Sequence, residues 1–159
     1  VARATTVAAR LASRFGNQVQ ITADRPPALQ YHFPSAAQLA QASLDEIAAL
    51  GMPGKRAATV LAFSRFVAEG GLEFAPHQPL EEVSASLKAL PGIGEWTAQY
   101  IAMRGLRYPN AFPAGDLGLQ KAVSEGHEQR CSEKELQAMS QPWAPWRSYA
   151  ALLLWQSLS

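Results

Sequence analysis

The turn Pro91-Gly92-Ile93-Gly94, set between two helical stretches, constrains this 159-residue chain more than any other feature. Leu80, Val83, Leu87 and Leu90 repeat at three- and four-residue spacing, which predicts an amphipathic helix with one buried stripe running into Pro91. That helix cannot continue through the turn. Gly92 and Gly94 are expected to take positive φ without steric cost, so the backbone reverses within four residues and a second helix starts at about Glu95. The product is a helix–hairpin–helix at about 80–105. Its small hairpin lets another backbone approach, and the second helix aims its free N–H groups and positive dipole end into the same space, where an anionic phosphate is stabilised. Such a device grips a nucleic-acid backbone without reading its sequence.

The rest of the chain is also helical in pattern. Val7, Leu11 and Phe15 form a stripe that closes at Gly16; Asp24 to Pro34, with Pro26-Pro27 and Phe33-Pro34, reads as a loop; and Ser35 caps a short helix. Ser43-Leu44-Asp45-Glu46 is a capping box whose helix runs to Gly51, and Gly54 to about Glu69 carries Val60, Leu61, Phe63 and Val67. Residues 72–79 connect to the hairpin helices. Beyond them lie a short helix from Leu117 to Glu125, another opened by Ser132-Glu133-Lys134-Glu135, and an apolar helix from Pro145 to Leu158. No run alternates as a strand would, and the expectation is one all-α domain over 1–159, a helical bundle with short connections. Val1-Ala2-Arg3-Ala4 has no initiator Met, no cap and no signal-peptide pattern although the stripe is already running, which predicts a helix entered partway in a longer chain.

Composition excludes several classes. Apolar residues make up 48% of the chain without a long uninterrupted run, which argues for a globular domain and against a membrane-spanning segment. The single cysteine, Cys131, rules out an internal disulfide and a cluster needing four thiolates. His32, His77 and His127 are isolated, without metal-ligand spacing. The net charge is only +1, so affinity for a polyanion must come from where charges are placed.

Local sequence leaves the chemistry-bearing residues with two readings each. Asp116 follows Gly115 and precedes a helix, which makes it an N-cap and equally a carboxylate fixed at a dipole's positive end, suited to stabilising a cation. Trp96 and Tyr100 share a helix face, as core aromatics or as a stacking surface, and Trp155 lies in an apolar helix with the same ambiguity. Lys55 and Arg56 stand at a helix N-terminus that disfavours cations, which a phosphate contact would offset, though a solvated pair needs no such account. Arg104 and Arg107 suit a helix C-terminus and need no functional role.

Leu90-Pro91-Gly92-Ile93-Gly94 followed by Trp96-Thr97-Ala98, and Asp116 arriving after Phe112-Pro113 and twenty positions beyond Trp96, resemble the helix–hairpin–helix/Gly-Pro-Asp superfamily of base-excision DNA glycosylases. Leu50-Gly51-Met52-Pro53 with Lys55-Arg56-Ala57, and Trp143 through Tyr149, resemble its bacterial 3-methyladenine DNA glycosylase II type over nearly the whole chain. The resemblance implies an all-α glycosylase domain acting on N3- or N7-alkylated purines in damaged double-stranded DNA by base flipping. It implies Asp116 as the catalytic carboxylate, Trp96, Tyr100 and Trp155 against the extruded base, and Pro91, Gly92, Ile93, Gly94, Lys55 and Arg56 on the DNA backbone. Backbone carbonyls of Lys88, Leu90 and Ile93 are the expected ligands of a structural Na+ or K+; no other cofactor is required, and an iron–sulfur cluster is not expected. In glycosylase/lyase relatives position 96 holds a lysine; here it is Trp96, and Glu95 is no substitute nucleophile, so the expected enzyme is monofunctional and uses water. Upstream sequence, often a separate N-terminal domain or a fused alkylation-response regulator, is expected by the same resemblance. A monomer in the bacterial cytoplasm, with no membrane partner, completes the expectation. The alternatives are a non-catalytic helix–hairpin–helix DNA-binding module, in which Asp116 only caps, and a bifunctional glycosylase/lyase for oxidised bases.

Overall fold

The computed structural model describes residues 2–19, 30–72, 78–124 and 129–158. The expected loop residues 24–29, connector residues 73–77, Glu125, His77 and His127 lie outside them. Among the described residues the chain is all-α, with one isolated antiparallel bridge between Gln18 and Tyr31. It divides into two compact units, Val1–Leu72 with Leu90–Gly92, and Glu73–Ala89 with Ile93–Ser159.

The first unit holds α1 (Ala2–Phe15), α2 (Ala36–Ala40), α3 (Leu44–Ala48) and α4 (Gly54–Ala68). Leu11 of the predicted α1 stripe is buried with Leu39, Ala42, Ile47, Met52, Ala57 and Leu61, while Val7, Phe15 and Val60 pack partly buried against that core. The capping box at Ser43 forms as read, with Glu46 bonding back to the Ser43 N–H, and Ser35 makes a second box with Gln38. Each box satisfies N–H groups that a five-residue helix would otherwise leave unpaired. α3 stops at Ala48, before the expected Gly51; Gly51 takes φ +91° and lets the chain turn into α4.

In the second unit α5 (Leu80–Lys88) buries Val83 and Leu87 of the predicted stripe, with Leu80 only partly buried, and α6 (Glu95–Arg104) starts where the turn ends. Gly92 has φ +85° as expected, but Gly94 is extended, φ −94°, and acts as the N-cap of α6. Its value is therefore open space, since nothing lies within 4 Å of where a Cβ would stand. α7 (Leu117–Val123) and α8 (Glu133–Met139) follow, the latter behind the predicted Ser132–Glu135 box. A 3-10 turn over Gln141–Trp143 precedes α9 (Arg147–Gln156). α9 begins two residues later than its pattern suggested: Ala144-Pro145 is a cis peptide and Trp146, not Pro145, stands at the cap.

Between α6 and α7 the chain runs without regular structure, held by backbone bonds such as Tyr108 N–H to the Ala102 carbonyl and by side chains. Gln99 accepts the Phe112 N–H at 3.1 Å, Ser148 Oγ lies 2.7 Å from the carbonyl oxygens of both Tyr108 and Ala111, and Gln120 donates to the Ala114 carbonyl at 3.2 Å. Ala111, Phe112, Pro113 and Ala114 are all buried. A buried irregular segment must find partners for its backbone groups, and these bonds supply them in the stretch that leads into Asp116.

Candidate functional site

Asp116 is the N-cap of α7: Oδ1 accepts the Leu119 N–H at 3.0 Å. Capping uses only part of the carboxylate. The same Oδ1 accepts the indole N–H of Trp155 at 2.9 Å, and Oδ2 accepts that of Trp96 at 3.0 Å. Three donors from α6, α7 and α9 thus hold one half-buried carboxylate. Indole N–H groups are donors only, so Trp96 and Trp155 fix its plane and cannot take up its charge.

The aromatic side chains singled out from sequence meet around this anion. Trp96 and Tyr100 stack, with ring centroids 5.2 Å apart and planes 18° from parallel. Tyr100 then meets Trp155 at 6.0 Å and 58°. These separations are ordinary aromatic contacts, so no base fits between the rings as they stand. Trp96 keeps 40% of its surface exposed, whereas Tyr100 and Trp155 are half-buried. Gly118, at the start of α7, lets Trp155 come close: a Cβ there would lie 3.4 Å from the indole and 3.0 Å from Asp116 Oδ1.

A cavity of about 530 Å³ opens beside Trp96, lined also by Glu95, Gln99, Phe112, Gly115 and Glu133 among others. Neither Tyr100 nor Trp155 borders it. Glu95 is engaged: it pairs with Lys88 and accepts from Gln99 at 3.0 Å, and the Lys88 bond above all holds its carboxyl below the usual range. Sequence reasoning missed Gln99 and Ser148, which pin the segment before Asp116, and Glu133 and Lys134, which line the cavity. Glu95 to Gln99 at i,i+4 was a readable pair; the other three reach their places through tertiary packing, which leaves no local signal.

The remaining predicted residues stand as follows. Lys55 and Arg56 are exposed in the first turn of α4, where Pro53 provides no side-chain cap. Pro91 and Gly92 are exposed, Ile93 is buried, and Gly94 is exposed. Gly92 sits against Thr59, whose Oγ1 would lie 2.1 Å from a Cβ, so only glycine fits there. Among the described residues no cluster of His, Cys, Asp and Glu forms a metal site. No helix there is long and apolar enough to cross a membrane.

Residues 1–147 match the family model described as HhH-GPD superfamily base excision DNA repair protein. Over 155 residues the chain is 39% identical to the probable bifunctional transcriptional activator/DNA repair enzyme AlkA of Mycobacterium tuberculosis strain H37Rv, covering 98% of this chain and 30% of that protein. It is 32% identical to DNA-3-methyladenine glycosylase 2 of Escherichia coli K12, over 98% of this chain and 51% of the relative. In fold it resembles a 3-methyladenine DNA-glycosylase from Archaeoglobus fulgidus, with a TM-score of 0.82, 24% identity, and coverage of 98% of this chain and 52% of that one. The chain therefore spans between about a third and a half of the length of these curated relatives.

Proposed function

Because this chain belongs to the helix–hairpin–helix/Gly-Pro-Asp superfamily of base excision DNA repair proteins, we propose that it carries a monofunctional DNA glycosylase activity that hydrolyses the N-glycosidic bond of alkylated purines in duplex DNA. The observation that carries this reading is the threefold anchoring of Asp116 by Leu119, Trp96 and Trp155. A residue that only caps a helix needs one of those bonds. With both oxygens held, the carboxylate is a preorganised anion, and it needs no reorganisation when positive charge develops beside it.

The chemistry follows from that placement. As the C1′–N bond breaks, its electron pair leaves with the base and C1′ becomes an oxocarbenium ion, which the Asp116 carboxylate stabilises. Water adds to C1′ and loses a proton. An N3- or N7-alkylated purine is cationic before cleavage and leaves neutral, so it needs no general acid. Its charge also favours the electron-rich face of Trp96, a cation–π contact worth ~1–2 kcal/mol when desolvated. Tyr100 braces Trp96, and Trp155 braces Asp116. With Trp96 where a lyase would carry lysine, no amine attacks C1′.

Duplex DNA is the proposed partner. The exposed Gly94, with open space above it, and the free N–H groups of the α6 N-terminus suit a phosphodiester backbone, with Lys55 and Arg56 as separate phosphate contacts. In this reading the backbone carbonyls of Lys88, Leu90 and Ile93 would hold a structural Na+ or K+. Such an ion would add positive charge for a DNA phosphate.

The test is release of 3-methyladenine and 7-methylguanine from methylated duplex DNA, read by chromatography of free bases together with alkali-sensitive abasic sites. Free bases with matching abasic sites are expected. Duplex binding without any base release would leave the helix–hairpin–helix binding module as the correct reading.

A further inference from the structure

We propose that Ser148 is a positioning residue for Asp116: it sets the register of α9 against the segment from Tyr108 to Asp116 and so delivers the Trp155 indole N–H to the carboxylate. This deepens, and rests on, the glycosylase reading above. α9 opens without a side-chain cap, since Trp146 at that position makes no such bond. The Ser148 N–H, one of the first-turn donors that a helix leaves unpaired, donates instead to the Pro109 carbonyl at 2.9 Å. Its hydroxyl lies 2.7 Å from the carbonyl oxygens of both Tyr108 and Ala111, so one proton serves two acceptors, and the residue is buried. Arg147 adds a bond from Nε to Asn110 Oδ1 at 2.8 Å. The first turn of α9 is thereby fastened to each of residues 108–111 in turn.

α9 meets the same segment again at its far end. Trp155 stands seven residues beyond Ser148, close to two full turns, so both lie on one face of the helix, about 10 Å apart along its axis. There the indole donates to Asp116 Oδ1 at 2.9 Å. The seat allows little slack, because a Cβ on Gly118 would already lie 3.4 Å from the indole. A slip of one residue moves a helix about 1.5 Å along its axis and turns it by about 100°, which ends a hydrogen bond of that length. What fixes the register is the clamp at 108–111, in which Ser148 supplies the donors to Tyr108, Pro109 and Ala111. Pairing buried carbonyls would account for a hydroxyl anywhere along α9; its place two turns before Trp155 is what couples that pairing to the carboxylate.

Single-turnover release of 7-methylguanine by the whole protein, at saturating concentration and well below the Tm of every variant, separates positioning from stability when duplex affinity is measured beside it. Ser148→Ala should lower the rate about tenfold, short of the roughly hundredfold that a displacement of about 1 Å costs a reacting centre, with duplex affinity unchanged. Trp155→Phe keeps an aromatic ring and removes the N–H. In that background Ser148→Ala should lower the rate no further, since the bond it served is gone. Ser148→Cys, close to serine in shape and a weaker donor, should fall between wild type and Ser148→Ala, and it carries the same comparison if the alanine variant does not fold. An unchanged rate in Ser148→Ala despite a lowered Tm, or full additivity with Trp155→Phe, assigns Ser148 to stability alone and overturns the inference while leaving the glycosylase reading intact. Wild-type protein that releases no base overturns both.

Discussion

Replacing Asp116 by Asn removes one charge and one acceptor while keeping the side chain's shape, so its cost can be worked from the bonds around it. In the best orientation the amide oxygen stands where Oδ1 was and still accepts from Leu119 and Trp155. The amide NH2 then occupies the place of Oδ2, facing the Trp96 indole N–H that was 3.0 Å away, donor against donor. One charge-assisted bond is lost and two become neutral. Because Trp96 is partly exposed and its N–H can turn to water, the net loss of stability is about 1–2 kcal/mol, not the full penalty of a buried orphan. For a chain of this length that lowers Tm by roughly 2–8 °C. Activity should fall far more, by a factor of a hundred or greater, the scale of deleting a preorganised electrostatic group from a reacting centre. Calorimetry and single-turnover release of 7-methylguanine give the two numbers. Adding Trp96→Phe tests the accounting: if the lost bond is the one to Trp96, Asp116→Asn costs less stability in the Trp96→Phe background than in wild type. Base release within threefold of wild type would refute the catalytic assignment, and full additivity would refute the bond assignment.

Three further outcomes follow from other parts of the molecule. On the proposed monofunctional reading, borohydride present during turnover should trap no protein–DNA adduct; an adduct mapped by mass spectrometry to any lysine would restore the lyase mechanism. Gly92→Ala should destabilise the protein by about 2 kcal/mol or more, because φ is +85° and Thr59 Oγ1 stands 2.1 Å from the new Cβ. Gly94→Ala should cost less than about 1 kcal/mol, yet both should weaken duplex binding measured by fluorescence anisotropy. The carboxyls of Glu46 and Glu135 are held low by hydrogen bonds from Ser43 and Ser132, and that of Glu95 by Lys88; acids depressed in the fold stabilise it above their unfolded value of 4.5 and lose that contribution as pH falls through their lower folded values. Denaturant titrations should therefore show stability declining below about pH 4.5, and the decline should be shallower in Glu46→Gln and Glu135→Gln.

The helices were legible because their signals are local. The Ser43 and Ser132 boxes, the α5 stripe and the glycine turn each satisfy or break hydrogen bonds within a few residues of themselves, and each forms where its pattern lay. Boundaries failed where a neighbour outside the pattern took over. Gly94 looked like a second positive-φ residue but serves as an extended cap, because Gly92 alone completes the reversal. Pro145 looked like a first-turn proline, yet Trp146 stands at the cap and α9 starts at Arg147. Neither outcome is written in propensity, since both depend on where the chain has already been directed.

The site divides along the same line. Trp96 and Tyr100 were readable as a pair from their spacing on one helix, and Asp116 as a cap from its place before another; what no spacing reveals is that Trp155, thirty-nine residues further on, donates to the same carboxylate oxygen as the Leu119 cap bond. That convergence changes what Asp116 means. A cap exchanged for another capping residue is a small loss, whereas a carboxylate gripped by three elements ties α6, α7 and α9 to one charge, and its orientation becomes a property of the fold. The aromatic stack is then not independent of the anion: the Trp96 indole stacks on Tyr100 with its ring and donates its N–H to Asp116, so one side chain joins the aromatic cluster to the carboxylate and sets how that carboxylate is turned. A substitution at Trp96 that preserved stacking but lost the N–H would separate those two roles, because the other two donors to Asp116, Leu119 and Trp155, both bind Oδ1 and leave Oδ2 to the Trp96 indole.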